Sequence, residues 1–204
     1  SGRGKELINQ AEEHKINIEE IDADLLKKIA DTENPQGILA VAEKGMTPIP
    51  PKLDFVLICD SIRDPGNLGT IVRSSAAAGV QLILLSPTCA DAFSPKVLRS
   101  AMGAHFHIPI LEREWQEIRE IVKGERTPLH VYLANAEGSI NYWQADLTQP
   151  FTLIIGSEAR GAGSEAFKMA DTLIKIPMPG KSESLNAAMA ASVLLFEAVR
   201  QRNP

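Results

Sequence analysis

The sequence predicts an α/β fold in which a parallel sheet is covered by helices on both faces. Short apolar runs alternate along most of the chain with segments of helical patterning, which is the element order of such sheets. Several runs are apolar at every position, as expected of central parallel strands buried on both sides. Glycine-rich turns follow three of these strands, at the sheet edge where α/β proteins bind ligands. The 204 residues have room for one large α/β domain and part of another.

The first part of the chain differs from the rest. Helical patterning covers residues 5–30, interrupted by a short strand predicted at Lys15–Ile18, and a second strand is predicted at Gly37–Ala42. Three prolines then follow in the stretch Gly45-Met-Thr-Pro-Ile-Pro-Pro51, which is typical of a linker. We therefore expect an N-terminal domain at 1–44, a linker at 45–52 and the α/β domain at 53–204.

Strands and helices alternate through the α/β domain. The predicted strands are Phe55–Cys59, Gln81–Leu85, Phe106–Ile110, His130–Leu133, Phe151–Ile155 and Thr172–Ile176. The predicted helices are Leu68–Ala78, Pro95–Met102, Glu112–Val122, Ser164–Ala170 and Ser184–Arg202. Gly79 is a natural stop for the first of these helices because glycine adopts the left-handed conformation at helix ends.

The charge of the chain does not decide whether it binds a nucleic acid. The net charge of −5 argues against one, but a local charge of −6 lies between Glu6 and Glu33, so the remainder is close to neutral. No apolar run approaches the roughly 20 residues of a membrane span. Cys59 and Cys89 fit neither a disulfide framework nor a metal site, so we expect two reduced thiols, no metal and a cytoplasmic protein.

The first glycine-rich turn contains Pro65-Gly66 and continues as Asn67-Leu-Gly-Thr-Ile-Val-Arg73. Pro65-Gly66 favours a tight turn, and Asn67 is predicted to cap the helix that follows. Arg73 is then on the second turn of the helix. Taken alone, an ordinary cap followed by a surface arginine explains this segment as well as a catalytic role does.

The second turn is Gly156-Ser-Glu158-Ala-Arg-Gly161-Ala-Gly163, whose glycines permit a close approach of the backbone to a ligand. The third is Ile176-Pro-Met178, followed by Ser184-Leu185-Asn186 and an alanine-rich run. Ser184 or Asn186 is expected to cap the last helix. Each turn alone is equally compatible with a flexible loop or simple packing.

Together, and in this order, the three turns resemble the motifs of the SpoU/TrmH family of RNA methyltransferases, within the SPOUT superfamily. The first motif, N-x-G-x-x-x-R with a later glycine, matches Asn67, Gly69, Arg73 and Gly79. The second, G-x-E-x-x-G, matches Gly156, Glu158 and Gly161, and the third, I-P-M then S-L-N, matches Ile176–Met178 and Ser184–Asn186. The stretch Phe93–Gly103 is also similar, and the resemblance covers residues 53–202.

Two positions depart from the family pattern. Ala78 stands where an aromatic residue often precedes the closing glycine, and Ala187-Ala-Met follows Asn186 where valines are usual. Both are packing positions, so the expected activity is unchanged.

The resemblance implies a fold and partners that composition does not reveal. It implies a C-terminal deep trefoil knot that holds S-adenosylmethionine, largely through backbone groups, at Gly156, Ile176, Met178 and Leu185. It also implies a homodimer whose active site borrows residues across the interface. The last helix, with Val193, Leu194, Leu195 and Val199, is a plausible part of that interface.

Residues 5–43 resemble the later part of the family's small RNA-binding domain, which is similar to ribosomal protein L30e. The strongest match is Asp31–Ala40. About half of such a domain is expected, so either the chain is truncated or the beginning lies outside this sequence.

Family members methylate a ribose 2′-hydroxyl, and the resemblance gives Arg73 the central role. Because guanidinium is nearly always protonated, we expect Arg73 to orient a phosphate and stabilise the developing alkoxide rather than act as a free base. The supporting polar residues would be Asn67, Glu158, Ser184 and Asn186. Contacts to RNA phosphates are expected from Arg63, Lys96 and Arg99, although a solvated face explains these three equally well.

The expected substrate is 23S (large-subunit) ribosomal RNA. Two other enzymes remain open, a transfer-RNA ribose 2′-O-methyltransferase and a resistance enzyme acting on ribosomal RNA. A different class also remains, a noncatalytic α/β module that binds RNA or a nucleotide and does not bind the methyl donor.

Overall fold

The computed structural model describes residues 2–30, 32, 34–42, 47–124, 128–157, 161–181 and 184–203. The chain divides into two units of internal packing, Ser1–Gly45 and Met46–Pro204.

The first unit contains two helices, α1 (Gly2–Glu13) and α2 (Ala23–Ile29). Asp22 caps α2, since its side chain accepts a hydrogen bond from the backbone nitrogen of Leu25. The strands predicted at Lys15–Ile18 and Gly37–Ala42 are wrong, because neither segment is a strand in the structure. A strand exists only when its backbone groups pair with another strand, and an apolar sequence alone does not supply that partner.

The second unit is built on a sheet of seven strands in the order β3-β2-β1-β6-β4-β7-β5, with every neighbouring pair parallel. The strands are β1 (Phe55–Asp60), β2 (Leu82–Leu85), β3 (Ile110–Glu112), β4 (His130–Ala134), β5 (Ile140–Asn141), β6 (Phe151–Gly156) and β7 (Thr172–Lys175). The central strands β1, β2 and β6 are buried almost throughout, as their uninterrupted apolar sequences predict.

Helices cover both faces of this sheet, which confirms the predicted fold class. The helices are α3 (Pro65–Ala78), α4 (Pro95–Ala101), α5 (Trp115–Lys123), α6 (Ser164–Met169) and α7 (Ala187–Arg202). On one face α3, α4 and α7 share a core with alternate residues of β1, such as Leu57. On the other face α5 and α6 pack against the intervening residues, such as Ile58.

Two strands of the second unit differ from the sequence-based prediction. The strand expected at Phe106–Ile110 begins only at Ile110, because residues Ala104–Phe106 form a 3₁₀ turn instead. Met102 and Gly103 both have positive φ and redirect the chain there. The strand β5 was not predicted, since a two-residue edge strand is too short to show an alternating pattern. Of the helices in the described part of the chain, none has the length and apolarity to cross a membrane.

Candidate active site

A pocket of about 240 Å³ opens at the carboxyl ends of β4, β6 and β7. Its lining residues are Ala134, Asn135, Ala136, Ile155, Gly156, Ser157, Gly161, Ile174, Ile176, Met178, Ser184, Leu185, Ala187 and Ala190. All four residues predicted to bind the methyl donor, Gly156, Ile176, Met178 and Leu185, are among them, together with Ser184. The second and third turns therefore meet at one site, although they are distant in the sequence.

Gly156 allows the turn after β6 to fold back closely on itself. A Cβ atom at this position would lie 2.4 Å from the backbone nitrogen of Ala162, a distance that real Cβ atoms do not adopt. Ser157 and Gly161 close the turn through two backbone hydrogen bonds, of 3.0 and 2.9 Å. The predicted catalytic residue Glu158 belongs to this turn but lies outside the described residues.

Asn186 joins the third turn to the first. Its side-chain oxygen caps α7 by accepting hydrogen bonds from the backbone nitrogens of Ala188 (2.9 Å) and Met189 (3.3 Å). Its side-chain nitrogen donates to Oδ1 of Asn67 at 2.9 Å. The two predicted polar residues are thus in direct contact across 119 positions of sequence.

The prediction that Asn67 caps the first motif's helix is wrong. That helix, α3, begins earlier, with Pro65 in its first turn, and Asp64 is the capping residue. The Asp64 carboxylate accepts the backbone N–H of Asn67 at 2.8 Å. The side chain of Asn67 is therefore not used as a cap, and it reaches Asn186.

Arg73 lies on α3, with an exposed side chain. In the described part of the chain its guanidinium makes no hydrogen bond or ion pair. The neighbouring Ser74 forms a hydrogen bond with Ser192 at 2.8 Å, which fixes α3 against α7.

The three predicted RNA-binding residues surround α3. Arg63 lies just before this helix, and Lys96 and Arg99 lie on α4; all three side chains are exposed. The helices α3 and α4 pack tightly at Gly69, where a Cβ atom would lie 2.4 Å from Cβ of Ser100. Gly69 thus allows α4, which carries Lys96 and Arg99, to lie close to α3.

Sequence reasoning missed Asp60, the last residue of β1. Its carboxylate is buried, with 3% exposure, and accepts hydrogen bonds from the hydroxyls of Ser61 (3.1 Å) and Ser86 (3.0 Å) and from the backbone nitrogen of Gly163 (2.6 Å). The available signal was an acid that directly follows a fully apolar strand, at the edge of the sheet where ligands bind.

The two cysteines are close to this edge and are free thiols, as predicted. Burial raises the pKa of both Cys59 and Cys89. Both thiols are therefore protonated at neutral pH, which makes them poor nucleophiles. Over the described residues, no group of three or more His, Cys, Asp or Glu side chains is placed to hold a metal ion.

Two family models match the chain. Residues 54–196 match the SpoU rRNA Methylase family, and residues 1–48 match the family of RNA 2′-O ribose methyltransferase substrate-binding domains. The chain belongs to the SpoU rRNA methylase family. The resemblance inferred from the three motifs is thereby confirmed.

Named relatives are methyltransferases of ribosomal RNA. The 23S rRNA (guanosine(2553)-2′-O)-methyltransferase RlmP of Bacillus subtilis is 35% identical over 86% of this chain and 70% of its own length. The mitochondrial rRNA methyltransferase 3 of the mouse is 33% identical over 86% of this chain, which spans only 55% of that protein.

Solved structures share the fold. The AdoMet-bound rRNA methyltransferase of Sinorhizobium meliloti has a TM-score of 0.84 and 30% identity, over 98% of this chain and 77% of that chain. The SpoU methyltransferase AviRb of Streptomyces viridochromogenes has a TM-score of 0.72 and 36% identity, over 76% of this chain and 62% of that chain. A second AviRb structure contains the cofactor AdoMet.

Proposed function

We propose that the protein transfers a methyl group from S-adenosylmethionine to a ribose 2′-hydroxyl of 23S ribosomal RNA. The observation that carries this proposal is the meeting of the three motifs. Gly156, Ile176, Met178 and Leu185 line one pocket, and the Asn67–Asn186 hydrogen bond ties its third turn to the helix of Arg73.

The residues at the pocket suit the methyl donor. Small and apolar side chains such as Ala134, Ile155 and Ala187 leave the backbone exposed to a ligand, and Gly156 cannot carry a side chain. Such a lining offers apolar contact to a purine ring and backbone hydrogen bonds to its edge. Gly156, Ile176, Met178 and Leu185 would hold the donor in this way.

The donor supplies an electrophilic methyl group, and the protein's part is to position the hydroxyl and stabilise charge. Arg73 is exposed, so its guanidinium can bind the phosphate next to the reacting ribose. It can also stabilise the negative charge that develops on the 2′-oxygen while the hydroxyl proton passes to water. Asn67 and Asn186 hold the catalytic helix and the pocket turn in register. Glu158 and Ser184 complete the proposed polar site.

Replacement of Arg73 by alanine tests this function. Purified protein with radiolabelled donor should label the ribose of ribosomal RNA, and Arg73→Ala should lower the rate by a factor of about 10²–10³. Arg119→Ala is the matched control, because Arg119 is exposed on α5, on the opposite face of the sheet. Full activity of Arg73→Ala would contradict the mechanism. Preferential labelling of transfer RNA would contradict the proposed ribosomal RNA substrate. Failure to bind the methyl donor would indicate that the protein is a noncatalytic module that binds RNA or a nucleotide.

The N-terminal residues 1–44 are proposed to contact the RNA, as the later part of a domain similar to ribosomal protein L30e. The match of residues 1–48 to substrate-binding domains supports this role. Residues 45–52 would link them to the SPOUT domain at 53–204. Arg63, Lys96 and Arg99 are proposed to bind RNA phosphates, because all three are exposed around the catalytic helix.

A trefoil knot, a homodimer and a cytoplasmic location complete the proposal. The knot is supported by the family membership and by the packing of α7, which follows β7 in the chain, in the same core as α3. The dimer is supported by an exposed apolar row on α7, formed by Met189, Val193 and Phe196. Leu194 and Leu195, also considered for this interface, are buried in the chain's own core and are excluded from it.

A further inference from the structure

The geometry points to Asp60 as a positioning residue that couples the donor pocket to the catalytic helix. Asp60 is the last residue of β1, directly before the turn that leads into α3. One oxygen of its carboxylate accepts hydrogen bonds from Ser61 and Ser86, and the other accepts a hydrogen bond from the turn after β6. The inference rests on the proposed methyl transfer and adds a residue that touches neither donor nor ribose.

The Oδ2 atom of Asp60 controls the turn after β6. It accepts the backbone N–H of Gly163 at 2.6 Å, and a Cβ atom on Gly163 would lie only 3.3 Å from it. The same turn carries the pocket residues Gly156, Ser157 and Gly161. A single buried acceptor therefore fixes the end of the segment whose beginning lines the donor site.

The Oδ1 atom of Asp60 controls the turn after β1. It accepts the hydroxyls of Ser61 (3.1 Å) and Ser86 (3.0 Å), and the Ser86 hydroxyl oxygen also accepts the backbone N–H of Ser61 at 3.1 Å. Ser61 has a left-handed backbone, with φ of 57°, which a residue with a side chain adopts only when its surroundings hold it there. This turn sets the direction of the chain entering α3.

Burial explains why a hydrogen-bond acceptor is needed at position 60. A buried carboxylate is expensive unless several donors satisfy it, and three donors from three segments converge on Asp60. A methyl or an aliphatic group would leave all three donors without this acceptor. An amide keeps one acceptor for Gly163 and turns its NH₂ towards hydroxyls that are able to accept.

The test compares Asp60→Ala with Asp60→Asn. We expect Asp60→Ala to weaken donor binding, measured by calorimetry with S-adenosylmethionine, at least tenfold, and to raise KM for the donor more than it lowers kcat. Asp60→Asn should restore the affinity to within about threefold of the unmodified protein. Hydrogen exchange of the Gly163 amide, followed by NMR, should rank the variants in the same order as donor affinity.

Val122→Ala is the matched control, since it removes buried apolar contact on the opposite face of the sheet. It should lower Tm and leave donor affinity unchanged, which separates positioning from stability. A folded variant at position 60 that loses protection of the Gly163 amide but binds the donor normally would overturn the inference. Asp60→Asn can give this result even if Asp60→Ala does not fold. If the unmodified protein binds no donor, the proposed function itself fails; if it binds and Asp60→Ala binds equally, only the role of Asp60 fails.

Discussion

At the residue scale, Asn186 serves two elements with one amide. Its oxygen caps α7, and its nitrogen donates to Asn67 on α3. These two functions can be separated, because aspartate retains an oxygen for the cap but has no nitrogen to donate.

We predict that Asn186→Asp leaves the free energy of unfolding within about 1 kcal/mol of the original value, since aspartate and asparagine cap helices equally well. Methyl transfer should fall roughly fivefold, because a hydrogen bond of about 1 kcal/mol is lost and Asn67 has to turn its amide over to avoid two facing acceptors. Chemical denaturation and rate measurements on the same protein check both effects. Asn186→Ala should lower stability as well, by about 1 kcal/mol. Equal rates for Asn186→Asp and the original protein would show that the contact with Asn67 is dispensable.

The type and spacing of residues in the sequence indicate which of them belong to a site. They indicate less well which hydrogen bonds each side chain makes. Gly156, Ile176, Met178, Ser184 and Leu185 line one pocket, because the second and third turns follow β6 and β7 at the same edge of the sheet. Their roles in donor binding and catalysis stay predictions. The predicted cap of α3, Asn67, is wrong because the helix begins earlier, at Pro65, so that Asp64 is the residue in the capping position. Asp60 was overlooked because its partners, Ser86 and Gly163, are far away in the sequence.

At the element scale, the contact between α3 and α4 explains Gly69. Alanine normally stabilises a helix interior by about 1 kcal/mol relative to glycine. At Gly69 the extra methyl group would overlap Cβ of Ser100 and approach the carbonyl oxygen of Val97 to 2.7 Å. The motif glycine is therefore a packing residue.

Gly69→Ala should lower the free energy of unfolding by about 1–3 kcal/mol, the usual cost of overpacking, despite the better helix former. On the exposed side of the same helix alanine should be the more stable residue, so Ala77→Gly should lower the free energy of unfolding by about 1 kcal/mol. Urea denaturation of the two variants checks the contrast. Increased stability of Gly69→Ala would mean that α3 and α4 separate easily.

The elements that the sequence predicts well are those whose burial is complete. Strands β1, β2 and β6 have uninterrupted apolar runs and lie where expected. Short edge elements have no such pattern: β5 was missed and β3 was placed too early. Their positions depend on pairing with neighbouring strands and on left-handed residues such as Met102, which local sequence does not show.

At the scale of the whole molecule, the exposed row on α7 is the candidate contact with a second copy. Phe196, with 48% exposure, is its largest side chain. A carboxylate placed in an apolar interface must lose its water, which disfavours association.

We predict that Phe196→Glu weakens dimerisation at least about 30-fold, as expected for a central interface residue worth 2 kcal/mol. Light scattering coupled to size-exclusion chromatography measures the change across a dilution series. Phe167→Glu is the control, because Phe167 has a similar exposure of 42% but lies on α6, on the other face of the sheet. A dimer that survives Phe196→Glu would place the interface elsewhere.

The position of α7 also has a consequence for biosynthesis. The pocket at the carboxyl ends of β4, β6 and β7 also needs the start of α7, and a ribosome makes all of these elements after α3. Until then, the apolar face of α3 lacks Leu194 and Leu195, which cover it in the finished protein. A nascent chain therefore exposes a large apolar surface, a state that favours aggregation and the recruitment of chaperones. Loss of α7 would remove the pocket residues Ala187 and Ala190 together with the core residues Leu194 and Leu195.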